Sequence, residues 1–100
     1  NGGFWGHKLD EDDRKEYGIS EGRMAVLINF IWGDHTQKAG IKNNDVVVKF
    51  DGMTGDMTIP QLHAHLNHNR DYGDRVPLTV RRGGKDVELT LALPTEAPKD

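Results

Sequence analysis

The sequence predicts a small α+β domain: a partly open antiparallel β-barrel or sandwich of five or six short strands with two short helices. Two observations support this fold class. The runs of β-branched and aromatic residues are short, and glycine-containing turns separate them. The helical patterns do not alternate regularly with strands, as they do in parallel α/β sheets. A chain of 100 residues also has the length of one domain.

The composition excludes several classes of function. There is no cysteine, which removes disulfides, CxxC redox pairs and thiolate zinc sites. The net charge of -3 has the wrong sign for a domain that binds nucleic acid or acidic lipid. The mean hydropathy is -0.69, and no apolar run approaches the ~20 residues of a membrane span. The single serine, Ser20, lacks the G-x-S-x-G context of a nucleophile, so we expect a non-catalytic chain without cofactors.

The first half of the chain predicts a strand and a short helix. Residues 10–16 are strongly charged and form either a loop or a short exposed helix. Residues 24–32 are β-branched and aromatic and lie between two glycines, which predicts a strand buried on both faces with Trp32 in the core. Residues 34–37 have the spacing of a capping box, and Gly40 is placed to end a helix of one or two turns.

The second half predicts a strand, an amphipathic helix and a hairpin. Residues 46–50 form the strand, which ends at a tight Asp-Gly turn. Thr58 begins a second capping box, and apolar side chains recur after it with helical spacing, so a helix spans about residues 59–68. Residues 76–93 alternate apolar and polar on either side of a Gly-Gly turn, which is the pattern of a β-hairpin.

Residues 39–52 carry the most specific motif, which is Ala-Gly-aliphatic, an Asn-Asp pair, a hydrophobic strand and an Asp-Gly turn. This segment resembles the signature of bacterial PDZ domains, with Asn44 where that family usually has glycine. A second segment resembles the loop that begins the PDZ domains of trypsin-like, stress-response serine proteases of the Deg/HtrA type, and consists of Phe4, Trp5, Gly6 and His7.

The resemblance covers residues 4–93 and implies a PDZ-like fold. It leaves residues 1–3 as a linker or cloning remnant and residues 94–100 as a polar C-terminal linker. It departs from the family at His7, where an aliphatic residue is usual. The family alone also implies an extracytoplasmic location, in the periplasm or outside the cell.

The resemblance implies a loop that holds the C-terminal carboxylate of a peptide. Phe4 begins this loop and is also expected to pack in the core. The carboxylate would be held by the main-chain N–H groups of Trp5, Gly6 and His7. Such an anion-binding nest needs no reactive side chain, because the donors are successive backbone groups.

The same resemblance assigns the two walls of the groove. A peptide would add an antiparallel strand to a segment of three residues: His7, Lys8 and Leu9. The predicted helix would form the opposite wall through Ile59, Leu62 and Leu66. The spacing of Leu62 and Leu66 fits core packing equally well, and one side chain can serve both purposes in a domain this small.

Other aromatic and histidine side chains admit more than one interpretation. Trp5 either contacts the ligand or caps the end of the fold. His7 is hypothesised to edge the pocket for the terminal residue and to make binding pH-dependent. His63, His65 and His68 share one helix, but His63 and His65 lie about 200° apart around it, so we expect a solvated face and no metal site.

The leading hypothesis for function is a non-catalytic peptide-binding PDZ module. It would capture C-terminal or exposed unstructured peptide segments, with a hydrophobic last residue favoured. We expect a monomer that binds neither nucleic acid nor membrane, with an acidic run at residues 11–13 that disfavours acidic ligands. The family implies a regulatory or substrate-recognition domain of a larger protein, such as a serine protease. The alternative is an assembly module whose groove is filled by a partner's or neighbouring strand.

Overall fold

The computed structural model describes residues 3–95 of the chain. This range contains five strands and three helices. In chain order they are β1 (Phe4–Lys8), α1 (Glu11–Tyr17), β2 (Val26–Ile31), α2 (Asp34–Ala39), β3 (Val46–Phe50), α3 (Ile59–Asn69), β4 (Arg75–Arg82) and β5 (Lys85–Ala92). The longest of them, α3, has 11 residues, and no helix in the described range is long and apolar enough to cross a membrane.

The strands form one antiparallel sheet in the order β1-β2-β3-β4-β5. Each strand therefore pairs with its neighbours in the sequence. The first and last strands lie at the two edges of the sheet, which stays open. These features confirm the predicted α+β class and the partly open antiparallel architecture.

Apolar side chains pack on both faces of the sheet. The larger cluster joins α3 to alternate positions of the strands, among them Phe4, Val26, Ile28 and Leu62. The smaller cluster consists of Leu9, Ala25 and Val46, with Tyr17, Ile19, Leu27 and Val48 packed against it. Because neighbouring residues of a strand point to opposite faces, the two clusters lie on opposite sides of the sheet.

The number of helices is three where the sequence predicted two, because the charged stretch forms α1. The Asp10 side chain accepts a hydrogen bond from the Asp13 amide and so caps the helix. Gly18 ends it with a φ of 70°. The guanidinium of Arg14 is buried and donates to the carbonyls of Ser20 and Arg23. This attachment orders a segment whose composition alone fits a loop equally well.

The prediction that the second strand is buried on both faces is wrong for its distal half. Phe30 is 59% exposed and Trp32 is 38% exposed. The cause is the uneven extent of the sheet: β2 pairs with β3 at Val26 and Leu27 and then continues past it alongside β1. Asn29 is an extra residue at this point, where the register shifts between Trp5 and Gly6.

Helix α2 differs from the prediction at its N-terminus and agrees with it at its C-terminus. Gly33 is the N-cap and provides no side-chain hydrogen bond, so the capping box expected for residues 34–37 is absent there. Gly40 ends the helix as predicted, with a φ of 85°. Helix α3 has the predicted capping box, in which Thr58 and Gln61 exchange hydrogen bonds.

The closing hairpin forms as the alternating pattern predicted. Strands β4 and β5 pair over their whole length, and their turn glycines both have positive φ. The inward-facing residues of β4 are buried in the larger cluster: Val76, Leu78 and Val80. This hairpin forms the end of the sheet that is far from β1.

Candidate functional site

The outer edge of β1 carries main-chain groups that the sheet does not use. On the inner edge, the Leu9 amide donates to the Ala25 carbonyl at 2.9 Å, and the Trp32 amide donates to the Gly3 carbonyl at 2.9 Å. Hydrogen-bonded and outward positions alternate along an antiparallel strand. The register therefore turns the N–H and C=O groups of three residues outward, namely Phe4, Gly6 and Lys8.

The hydrogen bonds of the neighbouring strand agree with this assignment. Gly6 lies opposite Ile28. The Ile28 amide donates to the Asp45 carbonyl at 2.8 Å, and its carbonyl accepts from the Asn44 amide at 2.7 Å. Because Ile28 is directed toward β3, Gly6 has no main-chain partner on the β2 side.

This register differs from the site that the sequence predicted. The Leu9 amide is occupied by Ala25, and the amides of Trp5 and His7 face β2 by the same alternation. Of the three predicted carboxylate donors, Gly6 is the one that faces outward. Residues 4–8 are a continuous strand in this structure, and successive amides of a strand do not converge on one anion.

Gly6 approaches the neighbouring strand too closely for any side chain. A Cβ atom built on it would lie 1.8 Å from the carbonyl oxygen of Leu27. The irregular register between Trp5 and Gly6 occurs at the same place. The glycine therefore permits the close contact of β1 with β2 at this irregular register.

Helix α3 lies beside β1, and a histidine on it contacts two aromatic rings of the strand. The ring centroid of His63 is 5.2 Å from that of Phe4, in an edge-on arrangement, and 5.7 Å from that of Trp5. Phe4 is fully buried, whereas Trp5 is 45% exposed. His63 thus lies between the core and the surface at the Phe4 end of the strand.

The His63 imidazole is partly buried, and one of its two nitrogen atoms has no hydrogen-bond partner in the described range. Burial lowers the pKa of His63, and a hydrogen bond with the Phe4 main chain acts in the opposite direction. Its Nε2 atom is buried and has no hydrogen-bond partner in the range 3–95. The sequence predicted a solvated face for His63, although this residue follows Ile59 by four positions and so shares the apolar side of the helix.

The apolar helix residues named by the sequence lie in the core. Ile59, Leu62 and Leu66 are all buried and belong to the larger cluster. Leu9 instead belongs to the smaller cluster on the other face, and Lys8 forms an ion pair with Asp56 at 2.7 Å. The structure thus places the two leucines of α3 in the same cluster as Phe4 and places Leu9 on the opposite face of the sheet.

An ion-pair network fixes the C-terminal end of α3 to the β3 turn. The Asp51 carboxylate accepts two hydrogen bonds from Arg70 and lies 2.7 Å from Nε2 of His65. Hydrogen bonding from Arg70 and from His65 lowers the pKa of Asp51, although burial acts in the opposite direction. His65 is therefore engaged with a carboxylate, and the residues described form no cluster of three or more groups that could hold a metal ion.

An exposed aromatic surface adjoins the same end of β1. Phe30 lies opposite Trp5 across the strand pair, and its ring centroid is 5.5 Å from that of Trp32. The position of Trp32 contradicts its predicted place in the core. The sequence could not show this, because an aromatic residue at the end of an apolar strand fits either environment.

Comparisons with known proteins identify the family. A model described as "PDZ domain" matches residues 14–93. The serine protease Do-like HtrA of Lactobacillus helveticus is 42% identical over 55 residues, which are 55% of this chain and 13% of that protein. This chain therefore spans a small part of that relative's length.

Solved structures share the fold at low sequence identity. The HtrA-type protease AlgW with a decapeptide superposes with a TM-score of 0.70 at 17% identity, covering 97% of this chain and 29% of that chain. The PDZ domain of EpsC from Vibrio cholerae gives a TM-score of 0.57 at 15% identity, covering 90% of this chain and 93% of that one. PDZ domains are non-catalytic modules. This chain belongs to the PDZ domain family and is related to the PDZ domains of HtrA serine proteases.

Proposed function

We propose that this domain captures C-terminal or exposed unstructured peptide segments by strand addition to the outer edge of β1. The observation that carries the proposal is the set of outward main-chain groups on Phe4, Gly6 and Lys8, beside α3, where the Phe4 carbonyl also accepts a hydrogen bond from His63. A peptide that pairs with these groups satisfies its own backbone and extends the sheet to a sixth strand. A distant structural relative, the HtrA-type protease AlgW, was solved with a decapeptide, which is consistent with this mode.

The direction of the added strand determines where the C-terminus of the peptide lies. An antiparallel peptide runs opposite to β1, so its C-terminus lies near Phe4 and its upstream residues lie near Lys8. At the Phe4 end the surroundings are largely apolar, because Phe4, Leu62 and Leu66 are buried there and Trp5 is partly exposed. We therefore expect a hydrophobic last residue to be favoured.

The affinity of such a site is modest. A short peptide loses conformational freedom when it forms a strand, and that cost offsets much of the contact energy. We expect dissociation constants on the order of micromolar, or about -8 kcal/mol. In the parent protein the domain would regulate a serine protease or recognise its substrates, as the HtrA relative suggests.

The matched pair Lys8→Pro and Lys8→Ala tests strand addition. Proline removes the outward N–H of residue 8 and is tolerated at a sheet edge, whereas alanine keeps that N–H and loses only the ion pair with Asp56. We expect Lys8→Pro to weaken peptide binding about tenfold or more and Lys8→Ala to change it by about threefold or less. Calorimetric titration of a peptide library, with circular dichroism to verify folding, measures both.

The role of the terminal carboxylate is tested with paired ligands. Each peptide that binds is compared with its C-terminally amidated form, which we expect to bind more weakly. Equal loss of binding in Lys8→Pro and Lys8→Ala would argue against strand pairing. Failure of every peptide, together with a mass that rises with concentration, would favour the assembly alternative, in which another copy's strand occupies the edge.

A further inference from the structure

We propose that His63 on α3, and not His7 on β1, is the imidazole that contacts the terminal residue of a bound peptide and aids capture of its carboxylate. This inference rests on the proposed function and specifies its site. It assigns to an α3 side chain the role that the sequence pattern predicted for a β1 side chain. Four observations on the two histidines carry it.

The first observation is that the two histidines lie on opposite faces of the sheet. His7 pairs with Leu27, and cross-strand partners share a face. Leu27 packs against the smaller cluster, away from α3. The His7 ring lies within 3.4 Å of the Asn29 amide on that same strand pair. His7 is therefore directed away from the groove between β1 and α3.

The second observation is the position of His63 at the end where the peptide terminates. Its ring contacts both Phe4 and Trp5, and an antiparallel peptide ends beside these residues. Phe4 is also the last outward-facing position of β1 at that end. A terminal residue seated there would lie beside the His63 ring, which contacts Phe4.

The third observation is the unpartnered Nε2 atom. A buried polar atom without a hydrogen bond is destabilising, and native proteins contain few of them. Nε2 of His63 is such an atom within the described range. The Trp5 side chain, whose ring lies beside the His63 ring, is 45% exposed, so the imidazole adjoins the surface.

The fourth observation is the lack of a competing anion around His63 in the described part of the chain. The rings that contact it, Phe4 and Trp5, have no ionisable group. On its own helix His65 binds Asp51 and His68 is exposed. On β1, Lys8 is paired with Asp56. A peptide carboxylate at the end of β1 would thus be the nearest anion to the imidazole.

A cationic imidazole at the end of β1 would add to the attraction between the main-chain donors of the strand and a bound carboxylate. Burial lowers the pKa of His63 in the free domain, and a bound carboxylate raises it. A group whose pKa rises on binding takes up a proton with the ligand, so the affinity increases as the pH falls. The peptide carboxyl itself stays ionised, because its pKa is about 3.5.

The test is a titration of one free-acid peptide at about pH 7.5 and about pH 5.5 with matched variants. We expect the wild-type domain to bind about three- to tenfold more tightly at the lower pH, which corresponds to a pKa rise of up to about one unit. His63→Gln is neutral at both pH values and should abolish this difference. His7→Gln should retain it, and so should His68→Gln, which alters an exposed histidine of the same helix.

A second variant and a measurement on the wild-type domain keep the test decisive if His63→Gln misfolds. His63→Leu should bind peptide with the same pH-independence as His63→Gln. In NMR titrations of the wild-type domain, the pKa of the His63 imidazole should rise when the free-acid peptide is added and should rise less with the amidated peptide.

Several outcomes would overturn the assignment. Carboxylate-dependent binding that is flat with pH in the wild type would refute it and leave the proposed function intact. Loss of the pH dependence in His7→Gln but not in His63→Gln would return the role to His7. If no free-acid peptide binds at any pH, the proposed function fails and this inference fails with it.

Discussion

At the scale of single residues, Gly6 is a position where the packing leaves no room for a side chain. A Cβ atom there would lie 1.8 Å from the Leu27 carbonyl oxygen, so Gly6→Ala must push β1 away from β2. We expect a loss of about 1–3 kcal/mol in the free energy of unfolding. Gly55→Ala is the matched control, because nothing lies within 4 Å of its Cβ position. Urea denaturation measures both, and equal midpoints for the two variants would contradict this explanation.

Asn44 is a second position where the backbone conformation limits which amino acids fit. Its φ is 76°, a left-handed conformation that asparagine tolerates better than most residues. We expect Asn44→Ala to lose about 1 kcal/mol of unfolding free energy and Asn44→Gly to stay within about 0.5 kcal/mol of the wild type. Chemical denaturation of the three proteins provides the comparison. If alanine were tolerated as well as glycine, backbone strain at this position would be negligible.

At the scale of elements, the position of α3 depends on the Asp51 network. The lowered pKa of Asp51 means that its ionised form is preferred in the folded state. The stabilisation is therefore present above its usual pKa of 3.8 and is lost as the pH falls through the lower folded value. We expect Asp51→Asn, which also tolerates the φ of 51° there, to lose about 1–3 kcal/mol at neutral pH.

The pH dependence distinguishes this network from a packing effect. Melting temperatures of the wild type and Asp51→Asn should differ by several degrees near neutral pH and converge in acid, where both side chains are uncharged. Asp86→Asn is the control: its carboxylate also pairs with an arginine, Arg81, but is about half exposed and should matter little. A difference between wild type and Asp51→Asn that persisted undiminished in acid would exclude the electrostatic explanation.

Some helices and strands can be predicted from local sequence patterns alone, and others cannot. The capping box of α3 and the β4–β5 hairpin formed as predicted, because each rests on residues within a few positions of one another. Helix α1 is different. Its sequence fits a loop or a helix, and the buried Arg14 contacts with Ser20, Arg23 and Asp56 decide between them. Burial of such a guanidinium depends on residues up to 42 positions away, which no local pattern contains.

At the scale of the whole molecule, the charge distribution predicts which peptides bind. The first turn of α1 contains Glu11, Asp12 and Asp13, and it follows the Lys8 end of β1, where the upstream part of a bound peptide lies under the proposed mode. We expect upstream lysine or arginine to improve the affinity over aspartate or glutamate by about two- to fivefold at low salt. Fluorescence titrations at low and high ionic strength check this, and a preference for acidic peptides would contradict it.

The proposed site uses the strand and the helix that the sequence named. The aromatic-glycine loop and the amphipathic spacing, which pointed to this strand and this helix, are both local patterns. The residues of β1 differ between the sequence prediction and the proposed site, since the sequence suggested His7, Lys8 and Leu9, whereas Leu9 bonds to Ala25 and the outward positions are Phe4, Gly6 and Lys8. A shift of one residue in a strand exchanges inward and outward groups.

By itself, the sequence determined the fold class, the family resemblance, the turns and the apolar stripe of α3. These features follow from propensities and periodicities that operate over a few residues. The tertiary structure alone decided the register of β1, the exposure of Phe30 and Trp32 and the contact of His63 with Phe4. Each of these depends on the distances between segments that are far apart in the chain, where packing and the extra residue Asn29 choose among registers that are locally equivalent.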